Sequence, residues 1–256
     1  MDTKLFYTPD HWLGREISVV LIGCGGTGSE MLDCLARLDW VIRALGHPGL
    51  RVKVYDGDTV EAPNVGRSQF YPADVGFNKA IVSVQRANLR WGLSWDGFPF
   101  HFQPTEEFIG ENSFGQVDLF VTCVDKAQFR ADFAKLCRGR GFHHRGDALF
   151  LDTGNGSASG QVILGHCCTR NAHYGSKAWL PNVFDYYPGL DGMDDDDTPS
   201  CGMEEAITRQ SPPVNRMIAD AAYALLFNMI RFGSTDSQGC YIDTQTLAMT
   251  PIRIPG

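Results

Sequence analysis

The chain has 256 residues, 43% of them hydrophobic and 20% charged, which is enough apolar material for a sizeable core and gives no reason to expect disorder. Its net charge of −8 argues against nonspecific nucleic-acid binding, which needs a surplus of Lys and Arg to displace counterions. The opening residues MDTKLFYTPDHW lack the apolar core of a signal peptide, and no apolar run is long enough to cross a bilayer. The eight cysteines include no C-x-x-C pair, and several sit in apolar runs as buried thiols do, so a cytoplasmic protein with no membrane or nucleic-acid partner is expected.

Ile17 to Ile22 is a β-branched apolar run that ends at Gly23-Cys24-Gly25-Gly26-Thr27-Gly28, the pattern of a buried parallel strand feeding a glycine turn. From Thr27 to about Leu45, the residues Met31, Leu35, Leu38, Ile42 and Leu45 recur at helical spacing, and His47-Pro48-Gly49 stops that helix. Val52 to Tyr55 predicts a second strand, closed by Asp56-Gly57-Asp58, so the segment is one βαβ unit. Val75 to about Trp91 reads as a helix, Phe98 to Phe102 as a weak strand, Val117 to Val124 as a buried strand, and Lys126 to Arg138 as a helix. Leu149 to Asp152 and Gln161 to Leu164 predict two strands joined by GNGSASG. The alternation implies an α/β fold: a Rossmann-like, mostly parallel sheet with helices on both faces, extended by further strands and a C-terminal helix.

Beyond residue 165 the texture changes. Asn171 to Ser200, with its prolines, aromatics and Asp194-Asp195-Asp196-Asp197 run, predicts a long exposed loop. Val214 to Phe232 predicts a helix with Ala219, Ala222, Leu226 and Ile230 toward the core, and Cys240 to Gly256 a hairpin or strand with a loose end. Without a linker between halves, residues 1–256 are expected to form one domain, with 1–165 as the nucleotide-binding part and 166–256 as an elaboration.

Gly23, Gly25 and Gly28 fit a dinucleotide turn, in which glycines permit a tight bend and close approach to phosphate oxygens. Asp56, at the end of the second strand, is placed to accept hydrogen bonds from ribose hydroxyls. Both features suit NAD equally well. The segment Asp56 to Lys79 then adds Asn64, Arg67 and Lys79, and Asp125 follows the strand ending at Val124, at the edge where open α/β sheets bind ligands. A carboxylate there suits Mg²⁺, which takes one or two protein carboxylates plus phosphate oxygens, and Arg67 and Lys79 suit the charge of a departing pyrophosphate.

The stretches GCGGTGSE, DGDTVEAPNVGRSQF, DVGFNK and VDKAQFR, running from Gly23 to Arg130, together resemble the ThiF/MoeB superfamily. The resemblance implies ATP- and Mg²⁺-dependent adenylation of the C-terminal carboxylate of a small ubiquitin-like or sulfur-carrier protein, by a homodimer. It implies a glycine cradle at Gly23, Gly25, Gly26 and Gly28, ribose contact at Asp56, phosphate contacts at Asn64, Arg67 and Lys79, and magnesium at Asp125. More loosely, TPSCGMEEAITRQSPPVNRMIADAAYALL resembles a bacterial branch encoded beside Mov34/JAB-type peptidases, including the plasmid PRTRC cluster. The paired Cys-x-x-Cys zinc knuckles of the family are missing, and Arg15 is the nearest counterpart of the arginine that reaches across the dimer in many relatives. An NAD(P)-dependent oxidoreductase and a catalytically inactive scaffold are the alternatives.

Cys201 precedes an expected helix, where a helix N-terminus would favour the thiolate and permit a thioester after adenylation; the bland alternative makes Ser200 the cap and Cys201 part of the first turn. His166, Cys167, Cys168 and His173 invite a metal site, but adjacent cysteines on a strand point to opposite faces. His143-His144 reads as a solvated loop.

Overall fold

The computed structural model describes residues 4–111, 117–139, 148–170, 178–189 and 212–254. β1 (Phe6–Tyr7) and α1 (Asp10–Gly14) lead into β2 (Ile17–Ile22), α2 (Gly26–Ala44) and β3 (Leu50–Tyr55). Next come α3 (Lys79–Trp91), β4 (Asp96–Phe98), α4 (Glu106–Glu111), β5 (Leu119–Thr122), α5 (Ala127–Arg138), β6 (Leu149–Asn155) and β7 (Ser159–His166). α6 (Val183–Tyr186), α7 (Pro212–Phe232), β8 (Ser234–Thr235), β9 (Ser237–Asp243) and β10 (Ala248–Arg253) complete the described α-helices and strands, and two short 3-10 turns, Ala62–Asn64 and Pro72–Asp74, lie between β3 and α3.

Eight strands form one sheet in the order β10-β9-β7-β6-β5-β2-β3-β4, and β1 pairs with β8 in a small separate ribbon. The block β4, β3, β2, β5 and β6 is parallel, with Ile17 opposite Leu50 and Val19 opposite Leu119. β7, β9 and β10 are antiparallel extensions. The short GNGSASG connection explains the change of direction: Gly156 N–H closes on Ser159 O at 2.8 Å, and so short a link cannot carry a parallel crossover.

Side-chain alternation splits the core between the two faces. Val19 and Leu21 pack with Val52, Val54 and Val121 under α2, α3 and α7, whereas Val20 and Ile22 pack with Phe120, Phe150 and Phe133 under α5 and α6. In α2, Met31, Leu35, Leu38 and Ile42 are buried as their spacing predicts, but Leu45, one residue past the helix, is exposed. In α7, Ala219, Ala222 and Leu226 are buried, and Ile230 is only half-buried.

Several boundaries differ from expectation for local reasons. α3 begins at Lys79 and not Val75, because Gly76 takes a φ of 92° and Asn78 Oδ1 caps the helix by accepting from Ile81 N–H at 3.0 Å. β4 is confined to Asp96–Phe98, after which Phe100 and Phe102 turn into an aromatic cluster with Tyr55 and Phe108. The expected loop from Asn171 to Ser200 is corrected over its described part, since Leu180, Val183 and Phe184 are buried. His166 Nδ1 accepts from Leu180 N–H at 2.8 Å, Asn182 caps α6, and Phe184 stacks on Phe150, so this segment covers the antiparallel side of the sheet. Gly165 permits the approach: a Cβ there would lie 2.4 Å from Asn182 Cα.

Candidate functional site

β2 and β5 are the strands between which chain progression reverses, with β3 and β4 continuing to one side and β6 to the other. The segments leaving their carboxyl ends therefore diverge around a crevice, the usual ligand position in an open α/β sheet. Gly23 leaves β2 with a φ of 85°, which a side chain would strain. At Gly28, a Cβ would sit 2.0 Å from Gly23 O, so the first turn of α2 closes onto the preceding loop only with glycine there. Gly25 differs: a Cβ would meet nothing within 4 Å, and the space beside it is open.

Asp56 ties this turn to β3. Its Oδ2 accepts Cys24 N–H at 2.6 Å and its Oδ1 accepts Asp58 N–H at 2.9 Å. Burial raises the Asp56 carboxyl above the usual aspartate range, against the pull of those two backbone N–H groups and of Lys79. Burial, followed by the nearby Asp56 charge, pushes the Cys24 thiol up to about 12.

Lys79 sits in the first turn of α3, with its Nζ 3.0 Å from Asp58 Oδ2. Asn78 positions this pair by donating from Nδ2 to Asp56 O and Asp58 O. Asp58 is pushed up by burial, but the charge and hydrogen bond of Lys79 outweigh this and hold its carboxyl below the ordinary value. Arg67 is half-buried, and its Nε donates to Pro63 O at 3.2 Å. Burial lowers its pKa, with the Asp125 carboxylate opposing the shift. Asp125 itself is exposed, just past the end of β5. Behind it, Arg130 donates from Nε and Nη2 to Val124 O and from Nη1 to the buried Asp152, fixing the path of the chain as it leaves the sheet.

These groups surround a cavity of about 820 Å³. Gly23, Gly25, Gly26, Asp56, Arg67, Lys79 and Asp125, all singled out by sequence, line it. Gly28 lies behind the wall. Asn64 is buried and contributes to the fold: its Oδ1 accepts from Glu61 N–H at 2.9 Å, and it is not part of the lining. Cys201 falls outside the described residues, as do His143, His144 and His173. Arg15 is at the opposite end of the sheet, holding Asp118 through two guanidinium hydrogen bonds of 2.8 and 2.6 Å.

The lining also contains residues that sequence reasoning did not assign. Asp58 and His101 join Asp56 as a group whose ligand atoms lie within 4.8 Å of one another, the group of potential metal-binding side chains among the described residues. His101 comes from a distant stretch and carries no motif; Asp58 stands in the DGD triplet and was the more legible of the two. Tyr55, Phe102 and Phe129 line the wall beyond, a surface suited to an aromatic base. Cys123 lines the cavity too, but burial raises its thiol to about 12, the reverse of an activated nucleophile. Thr27 and Asn155 complete the wall beside the glycine turn.

The donor set offers chemistry for an anion and for a hard cation side by side. Open backbone at Gly25, two cations and an exposed carboxylate offer groups to phosphate oxygens and to a hard cation that prefers oxygen ligands. Among the described residues, no helix is long and apolar enough to cross a membrane.

The sequence is similar to ubiquitin-like modifier-activating enzyme 5 of Arabidopsis thaliana, 30% identical over 137 residues, covering 48% of this chain and 30% of the relative. The protein of the same name from Oryza sativa subsp. japonica is 29% identical over 138 residues, covering 50% of this chain and 31% of the relative. These matches span about a third of the length of the curated relatives. Among solved structures, PaaA is similar with a TM-score of 0.61 and 15% identity, over 93% of this chain and 64% of that one. E. coli MccB crystallised with ATP has a TM-score of 0.58 and 16% identity, over the same 93% and 64%. At these identities the structural likeness shows a shared fold. The ThiF family profile matches residues 13–250, nearly the whole chain, and the chain belongs to the ThiF family.

Proposed function

We propose that this chain adenylates the C-terminal carboxylate of a small ubiquitin-like or sulfur-carrier protein, using ATP. The observation that carries this reading is the convergence of the open glycine turn at Gly25, the cations Arg67 and Lys79, and the exposed Asp125 on one cavity. Family membership supports it, as do the ubiquitin-like modifier-activating enzymes among the relatives. One fold neighbour, MccB, was crystallised with ATP.

In this reading a carboxylate oxygen of the partner forms a bond to the α-phosphorus of ATP while the bond to the pyrophosphate oxygen breaks. The products are an acyl-adenylate and pyrophosphate. Arg67 and Lys79 stabilise charge on the departing group, and the half-buried position of Arg67 strengthens its field relative to water. Lys79 exchanges its bond to Asp58 for phosphate oxygens when the nucleotide arrives. Asp56 offers its remaining lone pairs to ribose, and Tyr55, Phe102 and Phe129 receive the base. Asp125 would hold Mg²⁺, which supplies charge neutralisation on the phosphates. The partner protein, the homodimer, the cytoplasmic setting and the PRTRC affiliation belong to the same proposal.

The test is ligand stabilisation followed by chemistry. MgATP should raise the melting temperature of the wild type, while NAD⁺ and NADH should not. Asp125→Ala should keep its fold, since its side chain is exposed, yet lose MgATP stabilisation and adenylate formation with a ubiquitin-like protein. Stabilisation by NAD⁺ alone would return the glycine turn to redox chemistry, and normal adenylation by Asp125→Ala would remove the metal assignment.

A further inference from the structure

Asn215 stands in the first turn of α7 and is fully buried, out of contact with the cavity. Its carboxamide nonetheless reaches three separate segments that line the cavity. Oδ1 accepts from Thr27 Oγ1 at 3.0 Å and from Asn155 Nδ2 at 2.8 Å, and Nδ2 donates to the backbone oxygen of Arg67 at 3.2 Å. Asn155 Nδ2 also donates to Thr27 Oγ1 at 2.9 Å, closing a small polar ring. Thr27 belongs to the glycine turn at the start of α2, Arg67 to the loop before α3, and Asn155 ends β6. These segments are remote in sequence and share this one buried amide.

A buried carboxamide whose oxygen and nitrogen both hold partners is costly to rearrange, because displacing it orphans polar groups away from water. The network therefore fixes the Arg67 backbone relative to the glycine turn. On the MgATP reading above, this is the distance between the phosphate cradle at one end and a phosphate-binding cation at the other. We infer that Asn215 is a positioning residue, which holds Arg67 in register with the glycine turn and so favours a nucleotide with a polyphosphate over a nucleoside monophosphate. The nitrogen and the oxygen of its amide have separate tasks. The oxygen joins Thr27 and Asn155, and the nitrogen holds Arg67.

That division supplies the variants. Asn215→Leu removes every bond while keeping the heavy-atom count and the branch at Cγ, though its two methyl groups are bulkier than the amide they replace. Asn215→Asp keeps an acceptor for Thr27 and Asn155 but turns an acceptor toward Arg67 O, so it cuts the Arg67 tether selectively, and it serves if the leucine variant does not fold. Affinities for MgATP and for AMP are measured by calorimetry, with amide hydrogen exchange on the apo protein alongside. The expected result is MgATP binding weakened roughly tenfold, the effect of losing about one well-placed hydrogen bond, with AMP binding changed less than about twofold. Exchange should quicken in residues 62–70 while β2, β5 and the middle of α7 keep their protection. Equal loss of MgATP and AMP affinity, quickened exchange across the whole chain, or unchanged exchange in residues 62–70 would each overturn the inference. If the wild type binds no MgATP, the adenylation reading fails by itself, and exchange in residues 62–70 still decides whether Asn215 holds the Arg67 segment.

Discussion

Asp56 Oδ2 accepts the backbone N–H of Cys24 at 2.6 Å, so the end of one central strand holds the glycine turn that leaves its neighbour. The carboxylate thus has a structural task beside any contact with ribose. Asp56→Ala would leave the buried N–H of Cys24 without this acceptor, at roughly 1–3 kcal/mol, and the N–H of the exposed Asp58 at a smaller cost because water reaches it. Removing a charge that burial disfavours offsets part of that cost. A net loss of about 2 kcal/mol is expected in urea denaturation, together with weaker MgATP binding. Unchanged stability with weakened binding would mean that the carboxylate serves the ligand alone.

The glycines of the turn separate into two kinds. Gly28→Ala would drive a Cβ to 2.0 Å from Gly23 O, a backbone atom that cannot swing aside. It should cost about 3 kcal/mol or prevent folding, the upper end of overpacking. Gly25→Ala meets no protein atom, so its loss of stability should be much smaller, while the added methyl intrudes on the cavity and weakens MgATP binding. Thermal melts of the two variants with and without MgATP check both statements; equal melting temperatures would contradict the assignment.

The Asp58–Lys79 pair gives a pH signature. Its carboxyl lies below the ordinary range because Lys79 outweighs burial, so the fold favours the ionised form. The contribution is present above the unfolded value of about 4 and is lost as the pH falls through the lowered folded value. Asp58 is 56% exposed, and after solvent screening the pair should contribute only about 0.5 kcal/mol. The stability gap between wild type and Asp58→Asn should therefore be small at pH 7 and close in acid. A gap that widens below pH 4 would contradict the sign.

For Cys201, the adenylation reading leaves two courses. If the acyl group passes to this thiol, Cys201→Ala should still form adenylate but lose any reducing-agent-sensitive conjugate with the partner. Gel analysis with and without thiol distinguishes them: a conjugate that survives the substitution rules this residue out. Cys123 is a poor substitute, since burial holds its thiol near 12.

Much of the fold was legible because local physics and global topology agree. β2, α2 and β3 carry their periodicities openly, and Gly23 and Gly28 announce a turn only glycine can make. The elements that were missed depend on other parts of the chain. α6 holds its place through His166 and Phe150, and the Gly76 turn, which removes four residues from the expected start of α3, leaves little trace in apolar spacing.

The sequence by itself determined the chemical kinds of group available, the order of the strands and helices around the glycine turn, and the family resemblance carried by short local motifs. The tertiary structure alone decided which of those groups meet. It placed Arg67, Lys79 and Asp125 around one cavity, withdrew Asn64 into a capping role, and brought His101 and Asn215 to positions that no spacing encodes. The reason is physical: periodicity records the face a residue presents to its own sheet or helix. Polar networks such as that of Thr27, Asn155 and Asn215 are set by closure of remote segments, whose buried donors must find acceptors wherever the fold delivers them.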